Sequence, residues 1–253
     1  MIIDFSKLST IKIGSKIDVK IIDEDNYNNE IIIGRASNSL VCGGDIGILS
    51  DRYDFIEIVG DKLKVGAKTK NSKLYNFTRK FDIAGFEFLS KLPGSIGGTI
   101  KMNAGMKNYE ISNNLISING IDKNNFEFGY RYSNINFPIF WVEFEIKKGF
   151  QKELVLNFER MRKNQPKLPS LGSTFKNPKE DYAGRLIEAV GLKGEKFGGV
   201  EFSKIHSNFL VNINNGNCSD VIKAIKEAKK RVFEEFGINL EEEVKIYETT
   251  LII

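Results

Sequence analysis

Apolar and polar positions in the first half of the chain alternate in short stretches, each ended by a turn residue. Ile17-Asp18-Val19-Lys20-Ile21 has the period-two alternation of a half-buried strand, and Ile31-Ile32-Ile33 is a short fully apolar run. Residues 55–60 and 62–66 predict two further strands joined at Asp61. Between residues 72 and 81 the period changes: Leu74, Phe77 and Phe81 recur at spacings of three and four, which predicts a helix. A glycine-rich stretch follows over 92–105, and strand character resumes over 115–118 and 137–146.

The second half is more helical. Residues 153–162 place Leu154, Phe158 and Met161 on one face, and Gln165-Pro166-Lys167-Leu168-Pro169 stops that helix and reads as an inter-domain connection. Residues 181–190 predict a helix closed by Gly191. Ser219 is the expected N-cap of a long helix with Ile222, Ile225, Ala228, Val232 and Phe236 inward and Gly237 as its stop. A terminal strand is expected over 240–246. Strand-rich and then mixed, the order predicts an α+β protein, with a first domain over 1–150 and a smaller second domain over 151–253.

Composition narrows the function classes. Hydrophobic residues make up 41% of 253, enough for a real core. Lys+Arg of 37 against Asp+Glu of 33 leaves a net charge of only +4, scattered rather than clustered with aromatics, which argues against nucleic-acid binding. The two cysteines, Cys42 and Cys218, stand far apart and outside any CxxC spacing, so neither a disulfide framework nor a zinc site is expected. A single histidine, His206, leaves a His-rich metal site or a Ser-His-Asp triad little to draw on, and no metal is expected. The first residues lack a secretory signal, and no apolar run approaches the roughly 18 residues that span a bilayer, so a cytoplasmic protein without membrane partners is expected.

Two segments are poor in side chains. Ile33-Gly34-Arg35-Ala36-Ser37-Asn38-Ser39-Leu40 follows an apolar strand, and such a turn offers backbone N–H groups and short donors to a diphosphate, although turns favour the same residues without any ligand. Pro93-Gly94-Ser95-Ile96-Gly97-Gly98, running on to Asn103-Ala104-Gly105, has four glycines where a simple turn needs one or two, which favours close approach to phosphate or flavin. It is neither a dinucleotide GxGxxG opening a helix nor a Walker loop.

These segments also carry a resemblance. Thr10-Ile11-Lys12-Ile13-Gly14, Ser37-Asn38-Ser39-Leu40, Gly85-Phe86-Glu87-Phe88-Leu89 before Pro93–Gly98, and Met102-Asn103-Ala104-Gly105 resemble the UDP-N-acetylenolpyruvoylglucosamine reductase family. Tyr130-Arg131-Tyr132-Ser133, Gly172–Pro178, Ala183–Glu188, Ser203–Phe209 and Leu240–Val244 continue it in order, over nearly the whole chain. The resemblance implies an N-terminal FAD-binding domain of the vanillyl-alcohol-oxidase type and a C-terminal substrate domain. It also implies NADPH-dependent reduction of a UDP-linked enolpyruvyl amino sugar through non-covalent FAD, in peptidoglycan precursor synthesis. The chain is short, like the compact subtype that lacks an extra substrate-covering insertion. It departs from the family at Ala36, where a second glycine is usual, and at Lys245, often arginine. The alternative is another FAD-dependent oxidase or dehydrogenase of the same fold, which leaves Gly172–Pro178 and Leu240–Val244 unexplained.

By the same resemblance, Arg131, Ser173 and Glu243 match the catalytic residues. Arg131 would grip and stabilise the substrate carboxylate, Ser173 would donate the proton, and Glu243 would orient substrate or act in the enolate step. Gly34, Ser37, Asn38, Pro93, Gly94, Ser95, Gly97, Gly98, Asn103 and Gly105 are the expected cofactor contacts. Tyr130, Lys176 and Asn177 are the expected substrate contacts, with Lys176 at the diphosphate. His206 is expected to fix its loop rather than to catalyse.

Overall fold

Strand alternation over residues 56–66 and 115–145 is satisfied by antiparallel pairing around one apolar face. In the computed structural model, which describes residues 1–248, the strands Ile56–Val59 and Lys62–Gly66 form the expected hairpin through Gly60 and Asp61. Lys62–Gly66 pairs with Trp141–Glu145, which pairs with Leu115–Ile118, and Ile121–Asp122 closes a five-stranded sheet. Leu63, Val65, Val142 and Phe144 of the central strands are fully buried, alternating with half-buried neighbours as a one-faced sheet requires. The helix Asn71–Lys80 buries Leu74 in the same apolar cluster.

The chain divides into two compact units, and neither is continuous. One comprises residues 20–35 and 47–163; the other comprises 1–19, 36–46 and 164–253. The sequence expectation of a single cut at 150 differs in two ways: the cut falls at 163, and two N-terminal pieces pack with the C-terminal segment. The second unit has its own apolar cluster, in which Ile11, Ile13 and Leu40 join Phe175, Leu186, Val200 and Ala228. Linear hydrophobic patterning carries no sign of such an exchange, because each piece reads as an ordinary strand or turn.

In that second unit the strands Lys196–Phe197, Val200–Phe202 and Leu210–Asn212 form an antiparallel sheet. The long helix runs Cys218–Phe236 and ends on Gly237, at φ +66°. Its N-cap is Asn217 rather than the expected Ser219. Asn217 and Asp220 form a reciprocal capping box, which satisfies two of the N–H groups that a helix start leaves open. The terminal strand, Lys245–Tyr247, is shorter than expected and pairs parallel with Ser39–Val41.

That parallel pairing bears on the cysteines. Cys42 follows the Ser39–Val41 strand and Cys218 opens the long helix; they are joined by a disulfide across 176 residues. The expectation of no disulfide is thereby corrected. The spacing hid the pair because the approach is made by tertiary pairing, not by local chain. Such bonds are rare in a reducing cytoplasm, so the bond also weighs against the compartment expected from sequence. No helix among the described residues is long and apolar enough to cross a membrane.

Closing so long a loop removes much freedom from the unfolded chain, worth up to about 5 kcal/mol. Reduction with a dithiol, or Cys42→Ser, is therefore expected to lower the thermal midpoint by roughly 10 °C. An unchanged midpoint in calorimetry, with and without reductant, would show that the bond contributes nothing to the fold.

Candidate functional site

Two positions expected to serve different roles meet in the second unit. The Asn38 side-chain amide donates to the Glu243 carbonyl at 2.9 Å, and the Lys245 N–H donates to the Asn38 carbonyl at 3.0 Å. The N–H groups of Glu243 and Val244 donate to the Thr174 carbonyl at 2.9 and 3.3 Å, and Phe175 bridges Glu242. Ser173 therefore sits one residue from the carbonyl that receives Glu243. Gly172 before it has φ +82°, which sends the chain into this segment, and Thr174 is anchored by its N–H on the Asn208 carbonyl at 2.7 Å. Ser173 and Glu243 are both half-buried.

The two expected substrate contacts beside them are engaged within the protein. The Lys176 ammonium meets Glu241 at 2.5 Å, and the Asn177 side-chain oxygen accepts from the Ala183 N–H at 3.2 Å, at the start of the Ala183–Ala189 helix. His206 accepts from the Asn208 N–H through Nδ1 at 3.3 Å, the loop-fixing part expected of it. Burial, with a smaller contribution from the Lys193 charge, holds its pKa below the ordinary value, so it is neutral near pH 7.

Arg131 belongs to the other unit. Tyr130 and Arg131 are the two-residue turn between Phe128–Gly129 and Tyr132–Ser133, and Arg131 carries the turn's positive φ, +54°. Its guanidinium lies over the Tyr130 ring at 5.2 Å and donates to the Gly105 carbonyl at 3.3 Å. Tyr130 itself is exposed. Arg162 lies in the same unit as Arg131. Desolvation, aided by the positive charge of Arg131, presses its pKa below the usual arginine value, and its guanidinium donates to the Lys91 carbonyl at the entrance to the glycine segment. Residue order alone gives no signal for that approach.

The glycine segment is less of a plain loop than its composition suggests. Ser95 precedes a short helix, Ile96–Lys101, and the Asn71 side chain and N–H hold Pro93 and Gly94 at their carbonyls. Several glycines answer to internal packing. A Cβ on Gly105 would fall 2.1 Å from the Tyr109 carbonyl oxygen, and one on Gly97 would fall 3.0 Å from Ala67 Cβ. Gly34 packs on Ser95, where a Cβ would come within 2.3 Å of Oγ, so the two side-chain-poor segments touch. Gly98 is different: it is exposed, and a Cβ there would meet only Ser95 Oγ, at 3.8 Å. An open, side-chain-free surface at Gly98 fits a cofactor lying against the segment. Ala36, where the family's glycine is missing, is buried at φ +46°, a conformation in which a methyl is strained and a glycine is not.

These contrasts separate folding from binding. Gly105→Ala is expected to destabilise the protein by about 3 kcal/mol, because backbone rather than a flexible side chain must yield. Gly98→Ala should leave stability equal or slightly higher while weakening FAD binding at least tenfold. Thermal melts with FAD titration of the apoprotein check both. Unchanged FAD affinity in Gly98→Ala would take the cofactor off this surface.

The described geometry has counterparts among known proteins. Residues 164–247 match the family model of the UDP-N-acetylenolpyruvoylglucosamine reductase C-terminal domain. The chain is 46% identical to a UDP-N-acetylenolpyruvoylglucosamine reductase of Campylobacter jejuni (strain RM1221), over 97% of this chain and 100% of that protein. It is 42% identical to one of Helicobacter pylori (strain J99), over 96% and 97%. Its fold superposes on the crystal structure of the reductase from Thermus caldophilus with a TM-score of 0.82 at 27% identity, covering 98% of each chain. The expected α+β class is borne out by this likeness. With so much of its length shared, the chain belongs to the UDP-N-acetylenolpyruvoylglucosamine reductase family.

Proposed function

We propose that this protein reduces the enolpyruvyl group of UDP-N-acetylenolpyruvoylglucosamine to the lactyl ether of UDP-N-acetylmuramate, with NADPH as electron source and FAD bound non-covalently. The observation that carries the reading is the pairing of the Ser173-Thr174 segment with Glu243. Ser173 and Glu243, both half-buried, are thereby carried on adjoining backbone segments, which supports a shared role for the hydroxyl and the carboxylate. Bound FAD would supply the hydride chemistry, which no side chain of this protein can provide.

The remaining chemistry falls to the protein's own groups. The segment from Pro93 to Gly105, with Gly34, would hold the cofactor; Ser37 and Asn38 would serve it from the following strand entry. Residues 1–150 in this reading are chiefly cofactor-binding and 151–253 chiefly substrate-binding, although the compact units exchange pieces. The Arg131 guanidinium pairs with the substrate carboxylate and gains strength as negative charge moves onto it during reduction. Ser173 holds a proton at Oγ for the carbon next to that carboxylate. A serine hydroxyl is a weak acid, so it needs the developing carbanion charge to draw the proton off. The Glu243 carboxylate orients the substrate against that hydroxyl. Lys176, now paired with Glu241, would have to exchange that partner for the substrate diphosphate, and Tyr130 would offer an exposed aromatic face. The peptidoglycan role and a cytoplasmic site follow from the reaction proposed, with the disulfide as the observation standing against the compartment.

Ser173→Ala separates the two halves of the reaction. Bleaching of the flavin by NADPH requires no proton from this hydroxyl and is expected at close to the parent rate. Reoxidation by the enolpyruvyl nucleotide should slow by at least about 10²-fold, the lower end for loss of one acid–base group. Stopped-flow absorbance reads both. Reoxidation within tenfold of the parent would remove Ser173 as proton donor, and equal small losses in both halves would assign it a turn role only.

A further inference from the structure

The turn that carries Arg131 stands on strands of two residues each, Phe128–Gly129 and Tyr132–Ser133, too short to hold a shape alone. Three hydrogen bonds sew it to alternate residues of the neighbouring segment. Ser133 Oγ donates to the Lys101 carbonyl at 2.8 Å, Asn103 Nδ2 to the Gly129 carbonyl at 3.1 Å, and Arg131 Nη2 to the Gly105 carbonyl at 3.3 Å. Asn103 Nδ2 also donates to Glu110 Oε2 at 2.8 Å. Glu110 in turn lies directly across from Gly105 in the hairpin formed by Gly105–Met106 and Tyr109–Glu110.

Asn103 is wholly buried, and its amide nitrogen is committed to these two protein acceptors. Its Oδ1 is buried with no hydrogen-bond partner among the described residues. An orphaned acceptor is a cost that an apolar side chain would avoid, so the donors are what recommend an asparagine here. Asparagine also tolerates the local φ of +41° better than other side chains do. The charged Glu110 carboxylate makes the stronger of the two bonds and fixes the amide plane, and that plane fixes the carbonyl two residues before Arg131.

We propose that Glu110 and Asn103 are positioning residues for Arg131: the carboxylate holds the amide, the amide holds the Gly129 carbonyl, and the turn is thereby set with its guanidinium on Gly105. This goes beyond the expectation of Asn103 as a cofactor contact, since its donors face the Arg131 turn, and it rests on the proposed pairing of Arg131 with substrate. A guanidinium that must meet a carboxylate through two bonds tolerates little error. Misplacement by about 1 Å costs on the order of 10²-fold in rate.

The test is a double-mutant cycle on FAD-loaded protein, with thermal midpoint and flavin content as controls for folding. Asn103→Gly removes the side chain without straining the positive φ, and Glu110→Ala reaches the same link from its far end. Each is expected to slow flavin reoxidation by the enolpyruvyl nucleotide roughly 10- to 100-fold. Each should also weaken nucleotide binding to the oxidised enzyme, measured by calorimetry. Neither change should add to the effect of Arg131→Ala, because residues acting through one group do not contribute separately once it is gone. Glu110→Gln, whose side-chain oxygen still accepts from Asn103, should recover to within about threefold of the parent. Effects that multiply with Arg131→Ala, or parent-like reoxidation in both Asn103→Gly and Glu110→Ala, would overturn the proposal. If Arg131→Ala alone reoxidises at the parent rate, the placement of Arg131 at the substrate fails first, and the positioning role falls with it.

Discussion

The side-chain amide of Asn38 donates to the backbone carbonyl of Glu243, 205 residues further along the chain. Around that bond the Ser39–Val41 strand runs parallel to Lys245–Tyr247, and the Cys42–Cys218 disulfide closes the same unit a few residues away. A parallel pair cannot be made by a local turn, so the chain has to leave and return, and here the intervening chain includes most of the other unit. The interleaving of the two units follows from this. So does the position of Glu243, whose N–H reaches Thr174 while its carbonyl is held by Asn38.

Local chemistry was legible wherever period and caps decide the outcome. The helix Asn71–Lys80, the hairpin of Ile56–Val59 with Lys62–Gly66 and the stop at Gly237 all lie within a residue or two of their expected places. What was not legible depends on approach between distant segments. Asn217 outcompetes Ser219 because Asp220 is placed to complete a reciprocal pair, a three-residue signal that the apolar periodicity obscures. The disulfide and the exchange of residues 1–19 and 36–46 into the C-terminal unit have no local signature at all.

The glycine segment shows the same division within one motif. Four glycines suggested close approach by a ligand, yet a Cβ on Gly105 would strike the Tyr109 backbone and one on Gly97 would crowd Ala67, whereas Gly98 opens onto space. A glycine count therefore overstated the binding surface, although the position of that surface stands as a candidate. Arg131, Ser173 and Glu243 were pointed to by family resemblance alone, since an arginine, a serine after glycine and a glutamate among glutamates carry no periodic signal of their own. The structure adds how they are held: Ser173 and Glu243 by shared backbone pairing in one unit, Arg131 by a strained turn laced to Gly105 in the other.

The central claim concerns the reaction, and product analysis reaches it most directly. The purified protein, supplied with FAD, NADPH and UDP-N-acetylenolpyruvoylglucosamine, should oxidise one NADPH for each nucleotide consumed. Mass spectrometry should show a product heavier than the substrate by two hydrogens, with the vinyl group gone. NADPH oxidation that proceeds equally without the nucleotide, or a nucleotide recovered with its vinyl group intact, would contradict the account.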